Sequence, residues 1–149
     1  MGKFQFRLQG YLDLKEKMED QRKMEYGQAA AVLEREKQKL TRFEKERQTS
    51  LDTLRVKLQA GGAGFAPDEI TRTQGYLDLA RNKIARQEEQ VRLAAAETEK
   101  KRLDLVEAVK DRKTLEKLKD KAREEFLREE QLAEQKIVDE IVSYAYNDS

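Results

Sequence analysis

Apolar residues recur every seven positions in two long segments of the chain. In the second segment, one row begins at Ile70 and a second row begins three residues later, at Thr73. The first row contains Ile70, Leu77, Ile84, Val91 and Leu105, with Thr98 interrupting it, and the second contains Thr73, Ala80, Gln87, Ala94, Lys101 and Ala108. A seven-residue repeat of this length is typical of helices that wind around each other.

The first segment carries the same repeat, and a glycine-rich stretch separates it from the second. Its row contains Leu12, Tyr26, Leu33, Leu40 and Leu54, with Glu19 and Arg47 in the missing positions. Three glycines within residues 61–64 favour a turn, and Pro67 suits the first position of a following helix. The pattern predicts one all-α domain over residues 1–149, a long two-stranded antiparallel coiled-coil hairpin. Its helices are expected over about residues 7–59 and 68–143, with the turn at about 60–67.

The two predicted helices are unequal, so the C-terminal helix should extend beyond the N-terminal one. Folding at the glycines places Leu54 near Leu77 and Leu40 near Val91, and leaves the chain after Arg123 without a partner. This C-terminal overhang still carries apolar residues: Leu127, Leu132, Ile137, Val138, Ile141 and Val142. Apolar residues on an unpaired helix favour a binding surface, and dimerisation through the same stretch is the alternative.

Composition argues against several classes of function. Charged residues make up 41% of the chain against 38% apolar residues, the mean hydropathy is −0.96, and the net charge is +1. Such a balanced charge provides no overall field that would attract nucleic acid or an anionic membrane. The chain has no cysteine and no histidine, which argues against a thiolate metal site and against the commonest general base. Without these residues we expect no cofactor or metal. No apolar run is long enough for a membrane span, so we expect a cytoplasmic protein.

The short motifs do not indicate chemistry. A phosphate-binding loop needs a preceding strand and a Gly-Lys-Ser/Thr ending, and the glycines of residues 61–64 have neither. Basic residues near Lys101 alternate with acidic ones, whereas nucleic-acid binding favours a surface of one sign. We find no catalytic constellation and expect a protein that is not an enzyme.

Three segments of the sequence together resemble a known family. They are FQFRLQGYLDLKEKME at residues 4–19, RKTLEKLK at residues 112–119, and EQK at residues 134–136, followed by Asp139 and Glu140. In order and spacing they are similar to FliJ, a small coiled-coil component of the bacterial flagellar type III export apparatus. The resemblance covers nearly the whole chain, including the position of the turn.

The resemblance implies a function that the periodicity does not provide. Members of the family form an antiparallel coiled coil like the rotor stalk of rotary ATP synthases. They bind the hexameric export ATPase, promote its assembly, link it to the membrane export gate, and are described as helping to recycle export chaperones. We therefore expect a monomer in isolation, located on the cytoplasmic side of the inner membrane at the flagellar base. The sequence leaves open whether a flagellar or a virulence-type export system is served.

The resemblance also assigns candidate surfaces to the two ends of the hairpin. The gate-binding positions are Leu40, Phe43, Arg47, Tyr76 and Ala80. The ATPase-binding positions are Arg7, Leu8, Tyr11, Arg123, Phe126, Leu127 and Arg128. Arg47 replaces the aromatic residue usual in the family, and Leu40 also lies on the predicted apolar row, so Phe43 and Tyr76 are the preferred gate residues.

Two other functions fit the same pattern. One is a structural dimeric coiled coil without an ATPase partner, which would sediment as a tight dimer. The other is a general chaperone whose apolar overhang covers export substrates, which requires direct binding of unfolded substrate.

Overall fold

Two long helices make up the fold. A computed structural model describes residues 2–59 and 67–147, and places helix α1 at Gln9–Gln59 and helix α2 at Pro67–Asn147, with no strand in these ranges. The helices pack against each other in opposite directions, since Phe43 contacts Lys83 whereas Ala29, earlier in α1, contacts Thr98, later in α2. The predicted all-α antiparallel hairpin is confirmed. The predicted glycine turn lies outside the described residues, apart from Pro67, which is the first residue of α2.

Both helix boundaries at the chain ends differ from the expected positions. Helix α1 begins at Gln9 rather than Arg7, because the Leu8 carbonyl accepts the first helical hydrogen bond, from the Leu12 N–H at 2.9 Å. A separate turn precedes it, in which the Gln9 N–H donates to the Phe6 carbonyl at 3.0 Å. Helix α2 continues to Asn147 rather than residue 143, because neither glycine nor proline interrupts its last turns.

The burial pattern of α2 follows the two predicted rows. Every member of both rows is buried or half-buried, and the first row continues beyond Leu105 through Arg112, Lys119 and Phe126. Most other positions of α2 are exposed. This one-sided burial is what a seven-residue repeat produces when a helix packs against a single neighbour.

The chain divides into two compact units. The first unit combines Met1–Arg22 with Asp104–Ser149, and its buried residues are Leu12, Glu19, Ala108 and Leu115. The second unit is Lys23–Leu103, in which Gln87 is the one buried residue among those described and the predicted rows are half-buried. Each unit therefore has a narrow core, and this core includes buried polar side chains.

Within the second unit, the register of the helices differs from the predicted register by about one helical turn. The Phe43 ring contacts Lys83, and Glu36 contacts Gln87. Leu40 lies between Glu36 and Phe43, so it faces the stretch between Lys83 and Gln87 rather than Val91. A repeat of similar apolar residues permits several pairings, and the polar contacts that distinguish them depend on side-chain geometry.

No helix in the described part of the chain is long and apolar enough to cross a membrane.

Candidate interaction surfaces

Four residues that interrupt the apolar rows have partners on the other helix: Glu19, Gln87, Thr98 and Lys101. In the first unit, the buried Glu19 carboxylate accepts a hydrogen bond from Nε of Arg112, and Nη1 of Arg112 donates to Glu116 at 2.7 Å. The hydrogen bonds to Glu116 and Glu19 raise the pKa of Arg112 further above its ordinary value, so this residue stays charged. Nearby, Nζ of Lys15 lies 3.5 Å from a carboxylate oxygen of Asp111.

The second unit contains its own polar contacts between the helices. The buried Gln87 amide donates to the main-chain carbonyl of Glu36 at 2.9 Å and also to the Glu36 carboxylate. The Thr98 hydroxyl lies 3.1 Å from the Ala29 carbonyl oxygen, and Nζ of Lys101 lies 3.7 Å from a Glu25 oxygen. No buried side-chain nitrogen or oxygen in the described residues lacks a hydrogen-bond partner. These polar residues are thus accommodated in the interface between the helices.

Three of the five predicted gate-binding residues lie together in the second unit. Phe43, Tyr76 and Ala80 line a cavity of about 210 Å³, which we call the aromatic groove, and Glu46, Leu79 and Lys83 complete its walls. Tyr76 is 48% exposed and Leu79 is 70% exposed, so the groove has an apolar, accessible wall on α2. An apolar groove with charged groups at its edge is suited to receive side chains of another protein.

The groove places Phe43 under a cation. Nζ of Lys83 lies 4.1 Å from the centroid of the Phe43 ring, and the Arg42 guanidinium carbon lies 5.4 Å from it. Both distances are within the range of cation–π attraction. Phe43 is half-buried on the seam between the helices, so it contributes to the hairpin as well as to the groove.

Leu40 and Arg47, the other two predicted gate residues, do not line the aromatic groove. Leu40 is half-buried on the apolar row of α1, and Arg47 is exposed. Leu79, which also lines the groove, is not among the residues predicted from the sequence. The sequence could have indicated Leu79, because this leucine lies on neither seven-residue row. Packing between the two helices therefore does not explain an apolar residue at this position.

The predicted ATPase-binding residues lie in the first unit. The Phe126 ring packs against the Phe4 ring with 5.5 Å between centroids and 49° between planes. The prediction that α2 runs alone after Arg123 is therefore wrong, because Phe4, in the segment before α1, reaches Phe126. Residues 131–147 are all exposed, and the overhang corresponds to these residues.

The other predicted ATPase-binding residues differ in their exposure to solvent. Leu8 is half-buried and Arg7 is exposed, both immediately before α1, and Tyr11 in α1 is half-exposed. On α2, Leu127 is 49% exposed, and Arg123 and Arg128 are exposed. Arg123 also lines a cavity of about 610 Å³ with Lys119, Phe4 and Phe6 among its walls. The first unit thus presents a surface of cations and partly exposed apolar side chains.

The overhang exposes a series of apolar side chains between charged ones. Its exposed apolar residues are Leu132, Ile137, Val138, Ile141, Val142, Tyr144 and Tyr146. Several exposed apolar side chains close together in sequence are a feature often found at protein-contact surfaces. No cluster of three or more acidic residues in the described ranges is arranged to hold a metal ion.

Comparison with known proteins gives a family and a fold. The family model described as "Flagellar FliJ protein" matches residues 4–149. A solved structure of a YscO homologue from Chlamydia trachomatis aligns with a TM-score of 0.60 and 23% identity, covering 97% of this chain and 96% of that chain. At this identity the similarity shows a common fold. No curated protein matches the sequence.

Proposed function

Because the chain belongs to the flagellar FliJ protein family, as the match over residues 4–149 shows, we propose that it is a rotor-stalk-like connector in flagellar protein export. In this proposal it binds the hexameric export ATPase through the first unit, promotes ring assembly, and contacts the membrane export gate through the second unit. It performs no catalysis of its own. Membership of this family makes the chain a component of the flagellar or type III export apparatus.

The observation that carries the proposal is the family match across both candidate surfaces. The matched range includes the aromatic groove in the second unit, and Leu127, Arg128 and the overhang in the first unit. A connector needs two separate binding surfaces, and residues assigned to them from the family resemblance lie in different units. Exposed apolar side chains at each surface supply binding energy that the hairpin core does not use.

For the ATPase, the relevant surface combines Leu127 with nearby cations. Leu127 is half-exposed and Arg128, next to it, is exposed, so both are available to a partner. Arginine is enriched among interface residues that dominate binding energy, and an adjacent apolar side chain provides desolvation. Phe126 is a less direct candidate, because it already packs on Phe4.

For the gate, the relevant surface is the aromatic groove. Tyr76 and Leu79 are exposed enough to contact a partner without disturbing the interface between the helices. Tyrosine is also enriched among dominant interface residues. Phe43 forms part of the groove, but its half-buried ring is shared with the hairpin.

The first experiment measures the activity of the cognate export ATPase. Phosphate release and ring assembly are followed while the purified chain is added at increasing concentration. The chain alone should release no phosphate, and it should increase both the ATPase rate and the fraction of ATPase in rings. No change in either quantity, with both proteins folded, would contradict the proposal.

Two surface variants assign the contacts. Leu127→Ala with Arg128→Ala should reduce ATPase stimulation and leave binding to the cytoplasmic part of the gate protein intact. Tyr76→Ala with Leu79→Ala should do the opposite. Leu93→Ala with Leu103→Ala is the matched control, because both leucines are half-exposed on α2 away from the groove. This control should retain both activities.

A structural dimer without an ATPase partner is the second candidate function, and the exposed apolar residues of the overhang favour it. Light scattering of the purified chain separates the candidates. Two results together would support the structural dimer. The wild-type chain would be a dimer without effect on the ATPase, and the Ile137→Glu, Ile141→Glu variant would be a monomer. A monomer supports the connector. The chaperone alternative would instead require binding of unfolded export substrate to the same residues.

A further inference from the structure

The polar residues between the helices hold positions that apolar residues would normally fill. Gln87 belongs to one seven-residue row of α2, and Arg112 continues the other row. Glu19 occupies the corresponding row of α1 and is buried. In a two-stranded coiled coil, such residues lower stability relative to leucine but can determine which pairing of helices forms.

We propose that Gln87 and the Glu19–Arg112 pair are register determinants, which select the observed antiparallel pairing within one chain over other pairings of the same helices. The proposal concerns folding specificity and is independent of the partners proposed above. It requires that the polar contacts be satisfied in the observed register and lost in the competing ones.

In the first unit, the Glu19–Arg112 pair meets this requirement. Displacing one helix by a heptad along the other would keep apolar rows in contact, but it would place Arg112 opposite either Leu12 or Tyr26. Neither side chain carries a carboxylate. In the first of these registers the buried Glu19 would face Leu105, and a buried charge without a partner is strongly unfavourable. In the second, Glu19 would face Lys119, and Arg112 would lose its carboxylate partner on the other helix.

The same pair opposes a parallel dimer. In a parallel, in-register pairing of two copies, each residue faces its own counterpart, so Glu19 would face Glu19 and Arg112 would face Arg112. Like charges at a helix interface repel, whereas the hairpin brings opposite charges together. Glu116 further satisfies Arg112 in the hairpin, at 2.7 Å.

In the second unit, Gln87 meets the requirement through the main chain. Its amide donates to the Glu36 carbonyl at 2.9 Å and to the carboxylate of the same residue. A displacement of one heptad would bring Gln87 towards Ala29 or Phe43, neither of which has a side-chain acceptor. The two bonds to one residue therefore occur together only in the observed register.

The test measures register and stability separately. Because the chain has no cysteine, pairs of introduced cysteines can carry spin labels without background labelling. Exposed positions Leu14 and Leu132 report on the first unit, and exposed positions Met24 and Leu79 report on the second. Each pair is separated mainly along the helix axis, so a displacement of one heptad changes the distance between labels by about 10 Å.

Apolar replacements remove the determinants while preserving the core. Glu19→Leu with Arg112→Leu is measured with the first label pair, and Gln87→Leu with the second. The wild-type chain should give one narrow distance population for each pair. Each variant should give an additional population displaced by about 10 Å, or a dimer by light scattering. The matched controls substitute exposed positions. Glu16→Leu with Lys113→Leu is the control for the double variant, and Gln90→Leu is the control for Gln87→Leu. Both controls should retain one population.

A single population at the wild-type distance in both variants, with a monomeric mass, would overturn the proposal. Stability is measured separately by urea unfolding, and neither a higher nor a lower midpoint would change that conclusion. Gln87→Leu tests the proposal by itself if the double variant does not fold. The distance measurement does not involve the ATPase, so it tests the register independently of the proposed function. A variant that keeps its register but no longer stimulates the ATPase would bear on the proposed ATPase contacts and not on the register.

Discussion

Leu12 provides the sharpest test of how the narrow core stabilises the hairpin. Its side chain is 2% exposed, whereas Leu14, two residues later in the same helix, is 50% exposed. Both leucines lie in α1 within the first unit, so Leu→Ala at either position changes helix propensity by a similar small amount. The difference between the two variants therefore isolates the effect of burial.

The expected magnitude follows from the size of the cavity that the substitution creates. Replacing a buried leucine by alanine costs about 2–5 kcal/mol in protein cores. A core between only two helices can relax towards solvent, so we expect the lower part of that range, about 2–3 kcal/mol, for Leu12→Ala. Leu14→Ala at the surface should change the free energy of unfolding by less than about 1 kcal/mol.

Urea unfolding followed by far-ultraviolet circular dichroism measures both variants. The Leu12→Ala midpoint should fall clearly below that of the wild type, with an unchanged slope, and the Leu14→Ala midpoint should stay close to it. Equal midpoint shifts in the two variants would refute the reasoning, because burial between the helices would then make no measurable contribution at Leu12.

Three further predictions follow from the described contacts. Gly27→Ala should raise the free energy of unfolding by about 0.5–1 kcal/mol, since no atom lies within 4 Å of an added Cβ in the interior of α1; an unchanged urea midpoint would contradict this. Phe126→Ala should increase hydrogen exchange at residues 4–8 because it removes the Phe4 ring contact, while Leu127→Ala should not; equal exchange in both would show that the contact does not hold the segment. Hydrogen bonds from Arg92 and Arg102 lower the pKa of Glu89 and Glu99, so both pairs stabilise α2 above the unfolded pKa and stop doing so as pH falls through the folded pKa. Glu89→Gln with Glu99→Gln should therefore lower the urea midpoint slightly at neutral pH, and this difference should shrink as the pH is lowered below the ordinary pKa of glutamate; a difference that does not shrink in acid would contradict this.

The sequence was sufficient for the fold because the repeat records which face of each helix is buried. The rows beginning at Ile70 and Thr73 coincide with the half-buried face of α2. The register of the second unit was not predicted correctly, because leucines and alanines at regular spacing pack acceptably in more than one alignment. The alignment observed depends on contacts such as Gln87 with Glu36, which the sequence presents only as interruptions.

The candidate surfaces were predicted in part. Phe43, Tyr76 and Ala80 come together in the aromatic groove, as residues expected to share a function would. Leu40 and Arg47 do not, since one faces the seam and the other faces solvent. Phe126 was assigned to an unpaired helix because nothing in the repeat indicates that the segment before α1 reaches it. The binding roles of all these residues remain predictions.

The most direct test of the connector is whether one chain joins both partners at once. The wild-type chain is mixed with the export ATPase and the cytoplasmic part of the gate protein, and the complexes are analysed by size-exclusion chromatography with light scattering. The proposal predicts a ternary complex that forms with the wild-type chain and with the Leu93→Ala, Leu103→Ala control. Each surface variant should yield only the binary complex with the partner whose surface is intact. Mutually exclusive binding of the two partners to the wild-type chain would contradict the connector and indicate a single shared surface.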